Sequence, residues 1–311
     1  MPGSAAVFEA HRDHLTGVAY RMLGSRSDAE DAVQEAWLRW HAADQARVQD
    51  PKAWLTTVTA RICLDELRSA RVRREAYVGP WLPEPLVERL PAADADPADR
   101  AASTEQVSFA LLVVLERLTP EQRVAFVLHD LFAVPFDEVG GVLGTSPAAA
   151  RQHASRARRA LAHGGARHTA DLAEQQRVVN AFLAATRSGD LDGLLAVLAP
   201  DVVGIGDGGG VAPAGRRAVH GPSRVARLTL GLFGTYVRKA VWQRAEPMLV
   251  NGDLGFVVEV GLANGSVLRA SVAFAIDGGR ITGVFNQLNP AKLSRVPTLG
   301  PRDRSLPTPP A

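Results

Sequence analysis

The sequence predicts a multidomain protein: two all-α domains, then an α+β domain in which helices pack on a curved antiparallel sheet. Three observations carry this. Residues 5–77 hold apolar side chains at helical spacing. Residues 103–168 close with two short amphipathic helices around a glycine turn. Beyond Pro200 the pattern shifts to strands separated by hairpin turns. At 311 residues the chain has room for two or three domains, and a hydrophobic content of 46% supplies their cores.

In the first domain Phe8, Leu15, Val18, Ala19 and Met22 mark one helix, which Gly24-Ser-Arg-Ser27 breaks. Ser27 is placed to cap a second helix from Asp28 to Trp40, whose opening Asp28, Glu30 and Asp31 suit the positive end of a helix dipole. A loop over 43–51 leads to a third helix running to Glu75, with Arg61, Arg68, Arg71, Arg73 and Arg74 in its second half.

Residues 78–102 form a linker. Pro80, Pro83, Pro85, Pro91 and Pro97, among Glu84, Glu88, Asp94, Asp96 and Asp99, exclude a long helix and predict an extended or mobile connection. Within it, Trp81-Leu-Pro-Glu-Pro85 carries two large apolar groups that a solvated linker does not need, so it reads as a docking segment.

The second domain, 103–168, contains Thr119-Pro-Glu-Gln122, a threonine cap with a first-position proline and a glutamine that can reach back. It closes with Phe136-Asp-Glu-Val-Gly-Gly-Val-Leu-Gly144, a cap at Ser146 and a first-turn Pro147. Val139, Val142 and Leu143 face inward from one helix, and Ala150, Ala154, Ala157 and Leu161 from the next. From Thr145 to His168 there are five arginines (Arg151, Arg156, Arg158, Arg159, Arg167) and no acid. This is a helix-turn-helix signature and points to DNA. The plainer reading is a solvated basic helix in an ordinary bundle.

The third domain, 171–293, opens with a helix marked by Val178, Val179, Phe182 and Leu183, then a turn at Ser188-Gly-Asp190 into a second helix to Leu198. A helix from Pro222 to Val237 interrupts the strands that follow. Asn251-Gly-Asp253, Ala263-Asn-Gly265 and Asp277-Gly-Gly279 have hairpin chemistry and separate strands at 254–262, 266–276 and 280–285. Residues 294–311, rich in proline and polar groups, read as a disordered tail.

The net charge of +2 and pI near 9.0 fit a polyanionic partner without requiring one. Only three basic residues are lysines (Lys52, Lys239, Lys292), so 32 of the 35 are arginine, the side chain suited to phosphate and guanine. Cys63 is the single cysteine and falls in an apolar helical pattern, which excludes an internal disulfide and fits a reducing cytoplasm. No apolar run is long enough for a membrane span, no signal peptide is visible, and no metal-ligand spacing, nucleotide loop or catalytic triad stands out. No cofactor is expected.

His11-Arg-Asp-His-Leu-Thr-Gly-Val-Ala-Tyr-Arg-Met-Leu-Gly24 followed by Asp28-Ala-Glu-Asp-Ala-Val-Gln-Glu-Ala-Trp-Leu-Arg-Trp40 resembles domain 2 of extracytoplasmic-function sigma factors. Residues 110–163 resemble their domain 4, and the C-terminal half resembles the SnoaL-like, NTF2-type cone. Trp81-Leu-Pro-Glu-Pro85, Asp207-Gly-Gly-Gly210 and Asn289-Pro-Ala-Lys-Leu293 resemble three motifs of the SigJ-type group. That group usually follows the glycines with lysine; this chain has Val211 there, which puts the role of that ammonium in doubt.

The resemblance implies an alternative sigma factor that binds core RNA polymerase and promoter DNA and needs no separate anti-sigma factor. Asp28, Glu30, Asp31, Gln34, Glu35 and Trp37 would meet the β′ clamp helices, and domain 4 the β flap. The loop 43–51 would hold a base flipped from the minus-ten strand, and Arg61, Arg68, Arg71, Arg73 and Arg74 the neighbouring backbone. One or two of these arginines would suit internal pairs with Asp65 or Glu66 instead. Arg151, Gln152, Ser155, Arg156 and Arg159 are candidates for the minus-thirty-five element, and Arg158 for phosphate. Trp81, Leu82 and Pro83, with Asp207, Gly208, Gly209, Gly210, Asn289, Pro290 and Leu293, would form a regulatory interdomain dock. The rival reading is a DNA-binding module fused to a ligand-sensing or cyclase-like enzyme domain, with Asp207 and His220 as its obvious polar pair.

Overall fold

A computed structural model of the chain describes residues 4–75, 77–90, 107–162 and 168–299; the side chains of 70–75 lie outside that description. The first domain is α1 (Ser4–Glu9), α2 (Arg12–Leu23), α3 (Arg26–Ala42) and α4 (Pro51–Glu75). The break between α2 and α3 is tighter than the sequence suggests. Gly24 ends α2 in the left-handed region (φ 68°), and the cap of α3 is Ser25, whose Oγ accepts from Asp28 N at 3.3 Å. Ser27, the expected cap, already lies in the first turn, because the chain becomes extended for one residue only.

The second domain is α5 (Phe109–Leu115), α6 (Pro120–Phe126) with a π turn at Val127–Leu131, α7 (Phe136–Leu143) and α8 (Pro147–Ala162). The Thr119 capping box is formed in both directions, and Ser146 Oγ accepts from Ala149 N at 3.2 Å. Val139, Val142, Ala150, Ala154 and Ala157 are buried, as their spacing requires.

The two helical domains share one core. Phe8, Leu15, Trp40 and Leu64 pack in the same cluster as Leu112, Leu115, Leu128 and Ala154. A buried arginine ties this core together. Arg123 donates to Met22 O at 2.9 Å, to Leu115 O at 2.9 Å and to Glu116 Oε1 at 2.6 Å, and so joins the last turn of α2 to the second domain.

The third domain is α9 (Leu172–Ser188), α10 (Leu191–Val197), β2 (Leu198–Asp207), β3 (Val219–His220), α11 (Pro222–Lys239), β4 (Ala240–Val250), β5 (Asp253–Leu262), β6 (Val267–Asp277) and β7 (Arg280–Gln287). The linker supplies an edge strand, β1 (Val87–Arg89), paired with Val250, Leu249 and Met248. The sheet has the order β1-β4-β5-β6-β7-β2-β3, antiparallel except for β2 beside β7. Phe182 and Leu194 pack with Phe274, Ile276 and Val284 on one face of the sheet. On the other face Ala273, Ala275 and Phe285 receive Phe109, Val113 and Val114 of α5 together with Leu82 of the linker.

Two sequence expectations change. The linker is not a free connection: Leu82, Pro83, Glu84 and Pro85 are buried and 87–89 join the sheet, because the apolar groups noted there have a surface to cover. The expected disordered tail begins too early. Val296 and Leu299 are buried against Met248 and Val257, so the chain to Leu299 belongs to the cone. Asp94, Asp96 and Asp99 of the linker, Arg167, and the tail from Gly300 onward lie outside the described residues. Among the described residues no helix is long and apolar enough to cross a membrane.

Replacing Arg123 with alanine should lower the unfolding free energy by about 3 kcal/mol, since a buried ion pair loses one member and two carbonyls lose a donor. Urea denaturation of the purified chain measures this; a change within experimental error would show the bridge to be dispensable.

Candidate functional site

The three motifs meet at one buried carboxylate. Asp207 ends β2 with no exposed surface. Its Oδ1 accepts from the Tyr77 hydroxyl at 2.6 Å and from Gly209 N at 3.0 Å; its Oδ2 accepts from Leu82 N at 2.9 Å, Lys292 Nζ at 2.7 Å and Gln287 Nε2 at 3.3 Å. Lys292 also donates to Leu82 O at 2.7 Å and lies 3.9 Å from the centre of the Trp81 ring. Asn289 Nδ2 donates to the Tyr77 hydroxyl at 2.9 Å, and Gln287 Nε2 to Pro83 O at 3.0 Å. Burial, then the hydrogen bond and charge of Asp207, push the Tyr77 phenol up and keep it protonated. Gly209 has φ of 61°, and a Cβ there would lie 2.5 Å from the Asn289 amide, so both conformation and space demand glycine. Leu293 is buried and Pro290 opens a short 3-10 turn capped by Asn289.

The other side of the linker rests on the first domain. Glu84 is buried and accepts from Arg26 N at 2.7 Å, where it caps the start of α3. Glu84 N donates to Gly24 O at 2.8 Å, and a Cβ on Gly24 would lie 3.1 Å from the Trp81 ring. Asn251, read from sequence only as a hairpin residue, is a second junction. Its Oδ1 accepts from Leu86 N at 3.1 Å, and its Nδ2 donates to Tyr20 Oη at 2.9 Å and Val107 O at 3.3 Å. The signal available in the sequence was only the turn; the burial that gives its amide three partners is tertiary.

On α3, Asp28, Asp31 and Gln34 are exposed at helical spacing, and Leu38, which the sequence reading did not single out, continues the stripe at 56% exposure. Glu35 pairs with Arg39 at 3.0 Å, and Trp37 packs edge-on against Phe8. Glu30 is engaged from the far end of the chain. Arg295 Nη1 and Nη2 reach its two carboxylate oxygens at 2.5 and 2.6 Å, Arg26 Nε adds a contact at 3.1 Å, and despite some desolvation the two guanidinium groups hold its carboxyl at about 2. That contribution is full above the ordinary carboxylate range and is lost only as pH falls through about 2, so mild acid leaves the pair intact.

The arginines fall into two groups. Arg61 donates to Gly141 O at 2.9 Å and Arg68 to Glu121 at 3.0 Å, so both reach the second domain. Arg71, Arg73 and Arg74 occupy the end of α4, and their side chains lie outside the described residues. On α8, Gln152 and Arg156 are exposed, Ser155 is half-buried, and Arg151 lies over the Phe136 ring at 5.0 Å. Arg158 pairs with Asp130 at 2.5 Å, and Arg159 Nε donates to Ser155 O at 3.5 Å. The loop 43–51 borders an open hollow of about 590 Å³, lined by Asp44, Arg47 and Trp54 and bounded by Glu138 of α7.

Residues 7–73 match Sigma-70 region 2 and residues 108–161 match Sigma-70, region 4. The chain is 48% identical over 295 residues to the ECF RNA polymerase sigma factor SigJ of Mycobacterium tuberculosis, covering 93% of each. It belongs to the ECF sigma factors. The probable ECF sigma factor SigI of the same species is 35% identical over 292 residues, covering 93% of this chain and 94% of the relative. The crystal structure of M. tuberculosis SigJ superposes with a TM-score of 0.71 at 44% identity, covering 93% of this chain and 98% of that one. An ECF sigma factor is a transcription initiation factor and not an enzyme, which decides against the cyclase reading. The geometry agrees in one respect. Asp207 faces the linker, whereas His220 is exposed on β3 opposite Val203, four residues along β2.

The missing lysine of the glycine motif is also accounted for. Val211 is 80% exposed, and the ammonium at Asp207 comes from Lys292. Lys292→Met should therefore destabilise the linker–cone contact by about 3–5 kcal/mol, as expected when a buried charge loses its partner. Val211→Lys should change stability by less than about 0.5 kcal/mol, as for an exposed surface position. Thermal unfolding of the two variants compares them; equal effects would sink this assignment.

Proposed function

We propose that this ECF sigma factor is held closed by its own cone, which replaces a separate anti-sigma factor, and that polymerase binding opens it in the cytoplasm. The observation that carries the reading is the clamping of Trp81-Leu-Pro-Glu-Pro85 between region 2 and the cone while Arg61 and Arg68 are occupied by region 4. In this reading Asp28, Asp31, Gln34 and Glu35, with Leu38 beside them, meet the β′ clamp helices. Glu30, paired with Arg26 on its own helix, joins that face once Arg295 releases it, and Trp37 supports the face from behind. Region 4 meets the β flap. Arg61, Arg68, Arg71, Arg73 and Arg74 hold the minus-ten strand, and the hollow beside Trp54 receives its flipped base. Arg151, Gln152, Ser155, Arg156 and Arg159 read the minus-thirty-five element; Arg158, tied to Asp130, orients that helix and contacts phosphate.

Opening has a definite energetic requirement. The shared core of regions 2 and 4 loses contact with itself, so polymerase and DNA must bind the open form more tightly than the closed one by at least that difference. Removing the Trp81 ring takes away its stacking with the Lys292 ammonium, worth about 0.5–2 kcal/mol. Trp81→Ala should accordingly raise the open population by up to about 30-fold. It should increase in vitro transcription by core polymerase at limiting sigma concentration. Unchanged transcription in both Trp81→Ala and Gly209→Glu would refute regulation through this dock.

Arg156→Ala should weaken binding of the reconstituted holoenzyme to its own promoter by about 1–3 kcal/mol, and by less when the upstream element is scrambled. An equal loss on both DNAs would make Arg156 a phosphate contact. The same assay with Asp31→Lys/Glu35→Lys tests the polymerase face, because that variant should fail to compete for core.

A further inference from the structure

From residue 208 to residue 245 the chain contains no aspartate or glutamate, yet it carries Arg216, Arg217, Arg224, Arg227, Arg238, Lys239 and Arg244. Of these, Arg216, Arg217, Arg224 and Arg227 are exposed, and among the described residues they make no hydrogen bond or ion pair. Four uncompensated guanidinium groups in one stretch of a domain form a site for a polyanion.

Their position says which polyanion. A Cβ on Gly79 would lie 3.9 Å from Arg216 Cα and 3.7 Å from Gly215 O, and one on Gly210 would lie 3.2 Å from Val78. The segment leaving α4 therefore runs directly onto the loop that presents Arg216 and Arg217. α4 ends at Glu75, four residues before Gly79, a path of at most about 14 Å. The end of α4 is thus a short path along the chain from Arg216 and Arg217 of the cone. Tyr77, between them, donates to Asp207 at 2.6 Å, so the end of region 2 and the glycine turn of the cone are joined at this point.

We propose that Arg216 and Arg217, extended by Arg224 and Arg227, carry the DNA track of region 2 onto the cone and bind the phosphate backbone of the promoter duplex next to the minus-ten element. The cone then acts as a DNA-contacting domain of the initiating complex as well as a clamp on the closed one. This rests on reading the α4 arginines as minus-ten contacts. The contacts are to phosphate and carry no sequence preference.

The test measures holoenzyme affinity for promoter DNA as a function of salt. In Arg216→Gln/Arg217→Gln the slope of log affinity against log salt should become shallower by about 1.8, two phosphate contacts at about 0.9 each. The loss should be the same on DNA with altered promoter elements. Arg238→Gln/Lys239→Gln removes the same charge at the C-terminal end of α11, about 20 Å along the helix from Arg224, and should leave the slope unchanged. Thermal unfolding of both variants should match the parent, since all four residues are exposed. Equal slopes in the parent and Arg216→Gln/Arg217→Gln, or an equal reduction in both double variants, would overturn the proposal. So would a loss confined to core-polymerase affinity, which would assign the patch to a protein partner. Arg71→Gln/Arg74→Gln separates the two layers: if it too leaves the slope intact, the minus-ten reading of α4 fails, whereas a shallower slope there alone removes only the cone.

Discussion

A fully buried carboxylate must be matched by donors, and in this sigma factor Asp207 draws them from three distant parts of the chain. An uncompensated buried charge costs several kcal/mol, so the strand end, the linker and the closing motif are positioned together or not at all. Two of the donors, Tyr77 at the end of the first domain and the amide of Leu82 in the linker, come from outside the cone, and the third strong one is the Lys292 ammonium. The cone therefore holds the linker mainly by hydrogen bonds of fixed geometry. Leu82, fully buried against the sheet, adds an apolar contribution.

The rest of the arrangement follows from that point. With Leu82 fixed, Glu84 falls at the start of α3 and Trp81 falls against Gly24, so the cone sets the position of region 2 without touching most of it. Further along, 87–89 have no choice but to enter the sheet beside β4, and Asn251 closes the corner by joining linker, α2 and the start of region 4. α5 then covers the outer sheet face and brings region 4 onto region 2, where the shared core forms. The exposed pair of Arg295 with Glu30 adds direction more than strength, since such pairs are worth little in water.

Much of this was legible in the sequence, and the parts that were not share a cause. Helical spacing, the Thr119 box and the Ser146 cap are local, so residues a few positions apart decide them. The helix-turn-helix and the hairpins at 251–253, 263–265 and 277–279 were readable for the same reason. The apolar Trp81 and Leu82 announced a dock, because their burial has no local explanation. Asn251 gave no such signal: a turn asparagine looks the same whether its amide meets water or three other segments. Leu38 was passed over because a single exposed leucine on a helix means nothing until its acidic neighbours are seen on the same face. The boundary of the tail was misplaced because Val296 and Leu299 are too sparse to form a pattern, and only the groove between Met248 and Val257 gives them a reason to be buried.

Val211 shows how far chemistry constrains a motif and where it stops. Asp207 needs one cation, because a second ammonium at 2.7 Å would compete for the same oxygens and would itself have to be desolvated. Lys292 already occupies that place and is held by two further features, Leu82 O and the Trp81 ring. A residue after the glycines has no access to the carboxylate, since the turn carries position 211 outward to 80% exposure. Substitution there is free for the same reason that substitution at Gly209 is not. One side chain points into water, and the other would have to pass through the Asn289 amide that orients Tyr77. The motif is therefore constrained where it meets the linker and free one residue beyond it.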